Sequence, residues 1–288
     1  MTAIELAVIG GSGLYDMADL TDVQQVEMTT PYGKPSDMIT TGILHGRRVA
    51  FLPRHGRGHV LNPSEVPYRA NIFALKTLGV KYIIAVSACG SLKEELAPGH
   101  VVIPDQLFDQ TKKRDMSFFE GGLVAHVSVA EPFSAELSAA LYEAVKANGG
   151  TVHQGGTFIT IEGPRFSTKG ESQVYRSWGM SIIGMTTSPE AFLAAEAEIA
   201  YACMAHITDY DVWHEHQGPV TVEMVIRTLL GNTELAQKSI SHLAATMDNW
   251  AGNFAAHHAL KDALITDRKL VPAAKKAELA PLVSGYLD

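Results

Sequence analysis

The stretch AVIGGSGLYD, residues 7–16, carries an apolar run, IELAVIG (4–10), into a turn built from Gly10, Gly11, Ser12 and Gly13. A β-branched apolar run that stops at a glycine turn reads as a buried strand delivering the chain to the ligand-facing edge of an α/β sheet. A dinucleotide fingerprint needs G-x-G-x-x-G. Gly11-Ser12-Gly13 begins that pattern, but Asp16 stands where the third glycine belongs. No Gly-Lys-Ser/Thr follows, so the P-loop pattern fails as well. The turn can still aim backbone N–H groups and the Ser12 hydroxyl at an anion. A tight turn with no ligand is the alternative.

Working outward, further strand-like runs follow: RRVAFLP (47–53), KYIIAVSA (81–88), HVVIPDQL (100–107), TFITIEG (157–163), SIIGMT (181–186) and AHITDYDVW (205–213). Several are apolar on both faces, as strands covered by helices on each side must be. Helical patterns lie between them. SEVPYRANIFALKTLG (64–79) and SAELSAALYEAVKANGG (134–150) both end in capping glycines. SPEAFLAAEAEIAYACMA (188–205) opens with Ser188 as N-cap and Pro189 at the first helical position. Two more helices are expected near 220–231 and 233–263. The alternation predicts one α/β domain with a mixed, mostly parallel central sheet flanked by helices. The stretch from 264 onward is less patterned and reads as a helical tail that packs on a neighbour.

The chain has 288 residues, 46% hydrophobic and 19% charged, with a net charge of −8. That charge argues against nucleic-acid or anionic-membrane partners. The opening run lacks the basic region of a secretory leader, and no apolar run reaches the roughly 18 residues of a membrane helix, so a cytoplasmic protein is expected. Cys89 and Cys203 sit far apart in apolar surroundings and read as reduced core residues.

Five segments carry polar chemistry at strand ends. PRHGRGH (53–59) packs two arginines and two histidines into seven positions. Arginine offers a planar fork to phosphate oxygens and a histidine adds a donor, so the segment reads as an anion site, with a solvated basic loop as the alternative. A zinc reading of His55 and His59 lacks a third ligand. VSACGSL (86–92) supplies small residues that let a ligand approach the backbone, although such residues also make ordinary turns. MTTSPE (185–190) joins a strand end to a helix N-terminus, where Thr186 can donate to an anion while Thr187 or Ser188 caps the helix. TIEGPRFS (160–167) brings Phe166, which could stack on a planar base or simply join the core. TDYDVWHEH (208–216) places Asp209 and Asp211 on one face of an extended segment, where repulsion raises one pKa and keeps a general acid protonated. Solvated turn aspartates are the alternative there. His214 and His216, at i and i+2 without a further ligand, read as surface, and no metal is expected.

Taken in order, GGSGLYD, TPYGKPSD, PRHGRGH, SACGSL, TIEGPRFSTKGES, MTTSPEAFLAAEA and TDYDVW resemble the trimeric purine nucleoside phosphorylases, above all their S-methyl-5′-thioadenosine phosphorylase branch. The resemblance runs from about residue 4 to residue 260 and implies a phosphorylase domain over 1–265 with a C-terminal tail at 266–288. It implies orthophosphate as co-substrate, no cofactor, and a homotrimer or dimer of trimers. It assigns Ser12, Arg54, His55, Ser87, Ala88 and Thr186 to the phosphate; Ser12 and Ser87 replace the threonines of many relatives, keeping the hydroxyl. Phe166, Ser167 and the Met185 backbone would meet base and ribose. Val222, Val225 and Ile226 would line the 5′ pocket, with His126 supplied by a neighbouring subunit.

The resemblance also makes Asp209 and Asp211 the base readers. Adenine offers N7 as acceptor and its 6-amino group as donor, which suits one protonated and one ionised carboxyl. A 6-oxopurine enzyme of this family is expected to carry asparagine first, so the aspartate favours a 6-aminopurine, as does Ser167. The implied reaction is phosphorolysis of S-methyl-5′-thioadenosine to adenine and 5-methylthioribose 1-phosphate. Three rivals stand beside it: a 6-oxopurine phosphorylase acting on methylthioinosine, inosine or guanosine; a hydrolase using water; and a non-catalytic Rossmann-like nucleotide-binding protein.

Overall fold

The computed structural model describes residues 4–214, 222–250 and 254–287; the side chains of Ser12 and of residues 222–231 lie outside that description. In chain order the elements are β1 (Leu6–Gly10), β2 (Thr21–Val26), β3 (Ile39–Leu44), β4 (Arg47–Pro53), α1 (Tyr68–Thr77), β5 (Tyr82–Ser91), β6 (Val101–Ile103), β7 (Gln106–Gln110) and α2 (Ala135–Ala147). They continue with β8 (Val152–Gln154), β9 (Thr157–Ile161), α3 (Lys169–Ser177), β10 (Ile182–Gly184), α4 (Thr187–Glu196), β11 (Ala200–Asp209), α5 (Val222–Thr246), α6 (Ala273–Glu278) and α7 (Ala280–Val283).

One mixed, mostly parallel sheet organises the chain. β5 is its spine: it runs parallel to β1 on one edge and to β11 on the other. At its last two residues, Gly90 and Ser91, it takes up antiparallel pairing with β10. One wing continues from β1 through β4, β3 and β2; the other runs from β10 through β9 to β7. Because β1, β4 and β5 are parallel, their C-terminal ends open on the same edge.

Alternation along the strands feeds two cores. Ala7, Ile9, Ala50, Leu52, Ile83, Ala85, Cys203 and Ala205 face α1 and α4. Leu6, Val8, Val49, Phe51, Ile84, Val86, Ala202 and Met204 face α2 and α5. Each fully buried aliphatic side chain contributes about 1.5–3 kcal/mol. Helix ends are set locally. Ser134 Oγ accepts from Leu137 N at 3.4 Å to start α2, and Thr168 and Glu171 form a reciprocal capping box on α3. Gly79 and Gly149 take positive φ just past α1 and α2, as their capping role requires.

Several boundaries differ from those the sequence suggests. The helix expected over 188–205 stops at Glu196, and its second half is β11. The break is made by the backbone at Glu198, φ +54°, inside an Ala/Glu-rich stretch whose composition does not mark it. Ser188 keeps the extended backbone of a cap (φ −99°, ψ 134°) before a cis Ser188–Pro189 bond, but its hydroxyl caps nothing. HVVIPDQL divides into β6 and β7 around Pro104 and Asp105. The helices expected at 220–231 and 233–263 are instead one helix, α5, running through Gly231, followed by short 3-10 turns at Met247–Asn249 and Ala255–His258. The sequence reading misses β2, β3 and β8: β2 is exposed and polar, β3 holds two threonines and a glycine, and β8 is three residues long. The C-terminal stretch is helical as expected, but it packs on its own chain, where Leu279, Leu282, Val283 and Leu287 join the α1/α4 core.

Candidate functional site

Arg54, one residue past β4, is almost fully buried, and its fork grips Glu190 of α4 (Nε to Oε2 and Nη2 to Oε1, both 2.7 Å). Nη1 donates to Val86 O at 3.1 Å and Nη2 to Ile9 O at 3.3 Å. The guanidinium thus ties β1, β4, β5 and α4 together, and of its five N–H donors one on Nη1 is left for a ligand. Tyr201 Oη donates to Glu190 Oε1 at 2.8 Å and completes the buried pair. Glu190 escapes the sequence reading, because an acidic residue in a helix's first turn looks like an ordinary partner of the helix dipole.

His55 donates from Nδ1 to Leu61 O at 2.9 Å. Burial, with the Arg54 charge adding, pushes its pKa down to about 4, so the ring is neutral at physiological pH. Its Nε2 is then an acceptor and not the extra donor that the sequence suggests. Ser87 and Ala88 lie in β5; Ser87 Oγ is buried beside the Cys203 thiol. Thr186 is the residue before α4, and its side chain makes no capping bond. Ser12 begins a 3-10 helix over Ser12–Tyr15 directly after the glycine turn, and its side chain lies outside the described residues.

The two aspartates meet, although not as a shared face of an extended segment. β11 ends at Asp209 after an irregularity between Ile207 and Asp209, and Asp211 sits in a turn at φ +51°. The turn folds the Asp211 N–H onto Asp209 Oδ1 at 2.7 Å, while Thr208 Oγ1 donates to Asp209 Oδ2 at 2.7 Å. Asp211 Oδ2 is buried, with the Ser172 hydroxyl beside the carboxyl. Burial raises both pKa values and takes Asp211 to about 6; repulsion from Asp209 adds to that shift but is not its main cause. Both side chains pack over Gly90, where a Cβ would lie 3.0 Å from Asp209 Oδ1 and 3.3 Å from Asp211 Cβ. Asp209 pairs in register with Gly90, two residues beyond Ala88. Ser87, Ala88 and the glycine beneath the aspartate pair therefore share one strand.

Ser167 Oγ is buried and unpartnered among the described residues, and Phe166, 40% exposed, is free of the core. Met185 packs against Gly163, at the end of the β9 loop. Arg114, buried and also missed by the sequence reading, holds this corner: it donates to Glu162 O at 2.8 Å and to Ser188 O at 2.5 Å. Trp213 Nε1 donates to Ser91 O at 2.7 Å, with Arg176 lying 3.5 Å over its ring. His126 stands apart from these groups. It is exposed, on a cavity of about 540 Å³ lined also by Phe133, Tyr201 and Ala259 and by none of the other candidate residues. Val222, Val225 and Ile226 lie in the first turns of α5, but their side chains are outside the described residues. Cys89 and Cys203 are buried free thiols. Among the described residues no three potential metal ligands cluster, and no helix is long and apolar enough to cross a membrane.

The family model of the phosphorylase superfamily matches residues 5–245. The S-methyl-5′-thioadenosine phosphorylase of Chloroflexus aurantiacus is 56% identical, across 99% of both chains. That of Gloeobacter violaceus is 52% identical over 98% of this chain and 95% of its own. Among solved structures, a methylthioadenosine phosphorylase from an antarctic soil metagenomic library superposes with a TM-score of 0.94 at 49% identity, covering 98% of this chain and all of the other. The Schistosoma mansoni methylthioadenosine phosphorylase, in complex with adenine, gives 0.81 at 33% identity, with 98% of each chain covered. By these matches over nearly its whole length, this chain belongs to the phosphorylase superfamily, in its S-methyl-5′-thioadenosine phosphorylase family.

Proposed function

We propose that this chain catalyses the phosphorolysis of S-methyl-5′-thioadenosine, a pentosyl transfer yielding adenine and 5-methylthioribose 1-phosphate. The observation that carries the choice of base is the Asp209–Asp211 pair: two buried carboxyls with raised proton affinity, able to divide into one acid and one carboxylate. Asp209 gives its proton to N7 and Asp211 accepts from the 6-amino group. Asparagine at the first position would suit a 6-oxopurine instead.

Orthophosphate binds at the ends of β1, β4 and β5. The free Nη1 hydrogen of Arg54, the hydroxyls of Ser12, Ser87 and Thr186, and the Ala88 backbone are its donors. Neutral His55 accepts the phosphate's own P–OH hydrogen at Nε2. A phosphate oxygen then forms a bond to C1′ from the face opposite the base while the C1′–N9 bond breaks. The bonding pair leaves with the purine, and protonation at N7 makes adenine a neutral leaving group. Positive charge on the sugar in the transition state is met by the phosphate dianion. Positioning both substrates across one sheet edge supplies much of the acceleration. Phe166, Ser167 and Met185 hold base and ribose, while Val222, Val225 and Ile226 take the methylthio group. His126, remote from its own chain's site, serves a neighbouring subunit in a homotrimer, alone or paired into a hexamer. The enzyme acts in purine and methionine salvage in the cytoplasm.

The deciding experiment measures adenine release from S-methyl-5′-thioadenosine with and without orthophosphate, beside methylthioinosine and inosine. Release that needs phosphate and prefers the adenine compound is expected. Phosphate-independent release would make the protein a hydrolase, and preference for the inosine compounds would overturn the aspartate argument.

A further inference from the structure

The segment after β4 turns back on itself through four bonds. Pro53 O accepts from Gly56 N at 3.1 Å, Gly56 O from His59 N at 3.1 Å, and His55 O from Leu61 N at 3.0 Å. The His55 Nδ1 donation to Leu61 O, at 2.9 Å, closes the same loop through the side chain. Three of its residues, Gly56, Gly58 and His59, have φ between +57° and +81°. This left-handed run, tolerable for glycine and less so for histidine, curls the chain until residue 59 lies over residue 55. The two imidazoles are stacked, with centroids 4.2 Å apart and planes 11° from parallel. His55 is half-buried and His59 exposed, so His59 covers the open face of the inner ring.

A single Nδ1 tether leaves the His55 ring free to tilt about that bond. A face-to-face neighbour removes the tilt and excludes water from one side of the ring. We propose that His59 is a positioning residue for orthophosphate: it touches no substrate, and by stacking it fixes the direction in which His55 Nε2 faces the anion. The inference rests on the assignment of His55 to the phosphate site.

Steady-state kinetics of wild type, His59→Ala and His59→Phe, varying orthophosphate at saturating nucleoside and then the reverse, test it. His59→Ala is expected to raise the phosphate KM about three- to tenfold, the range a stacked aromatic pair supplies, and to leave the nucleoside KM unchanged. His59→Phe, which keeps the stack without the nitrogens, is expected to restore a phosphate KM near that of wild type. Protection of the enzyme against thermal unfolding by orthophosphate alone should fall in the alanine variant and return in the phenylalanine one. An unchanged phosphate KM in His59→Ala, an equal rise in both KM values, or a phenylalanine variant no better than alanine would overturn the proposal. Wild-type turnover independent of phosphate would instead remove the His55 assignment beneath it.

Discussion

The Asp211 carboxyl is buried beside the Ser172 hydroxyl, and burial lifts its pKa to about 6. To accept from a 6-amino group it must be ionised. The value of kcat/KM for the nucleoside should therefore rise with pH through about 6. In Asp211→Asn that rising limb should vanish; a limb that persists would place the titration elsewhere. On the proposed assignment Asp209→Asn removes the proton donor to N7 and should lower kcat on S-methyl-5′-thioadenosine by about 10²–10⁴-fold, with some gain on the 6-oxo analogue. Near wild-type rates in that variant would take Asp209 out of the acid's role. The two-residue spacing of the aspartates at a strand end was legible in the sequence, although it fits solvated turn residues equally well and base reading came only with the family resemblance. Their geometry was not, since it depends on a left-handed residue at position 211 that composition does not mark. Glu190 was hidden for a different reason: only its complete burial separates it from a solvent-facing helix cap.

At the scale of single elements, β11 carries an anomaly one turn of alternation before the aspartates. His206 is buried with both ring nitrogens unpartnered among the described residues, and burial pushes its pKa down to about 4. An unpartnered buried polar group costs about 1–3 kcal/mol, so His206→Leu should raise unfolding stability by a similar amount at neutral pH. The pH dependence has a definite sign. A histidine whose folded pKa lies below its ordinary 6.5 adds no ionisation cost above that value and destabilises the fold increasingly as pH falls toward 4. Denaturant titrations between pH 7 and about 4 should show a weaker decline in the leucine variant. A leucine variant less stable than wild type at neutral pH would mean that His206 has a partner the fold needs. The strands that read clearly, such as β4 and β9, are continuous apolar runs with both faces covered. Those that did not, β2 and β8, are polar or too short to show a period.

For the whole molecule, the C-terminal residues close the core that α1 and α4 begin. Leu282 is nearly fully buried there, and Leu282→Ala should cost about 2–5 kcal/mol in equilibrium unfolding. A loss below about 1 kcal/mol would show that the terminal helices rest on the domain without stabilising it. Their weak apolar spacing suggested a tail bound to a neighbour, because contacts with α1, some two hundred residues earlier, leave no local pattern. The change of partner along β5, from β1 at its start to β10 at its end, has a wider consequence. Most groups assigned to the anion hang from the ends of β1, β4 and β5, and those assigned to the purine from β11 and the loops after β9 and β10, with β5 as their common border. Such a division is modular. Selection can retune which base is taken by altering the loops after β9 and β11 while leaving the inorganic half of the reaction untouched, so descendants of one scaffold can trade nucleosides without relearning how to hold the attacking oxygen.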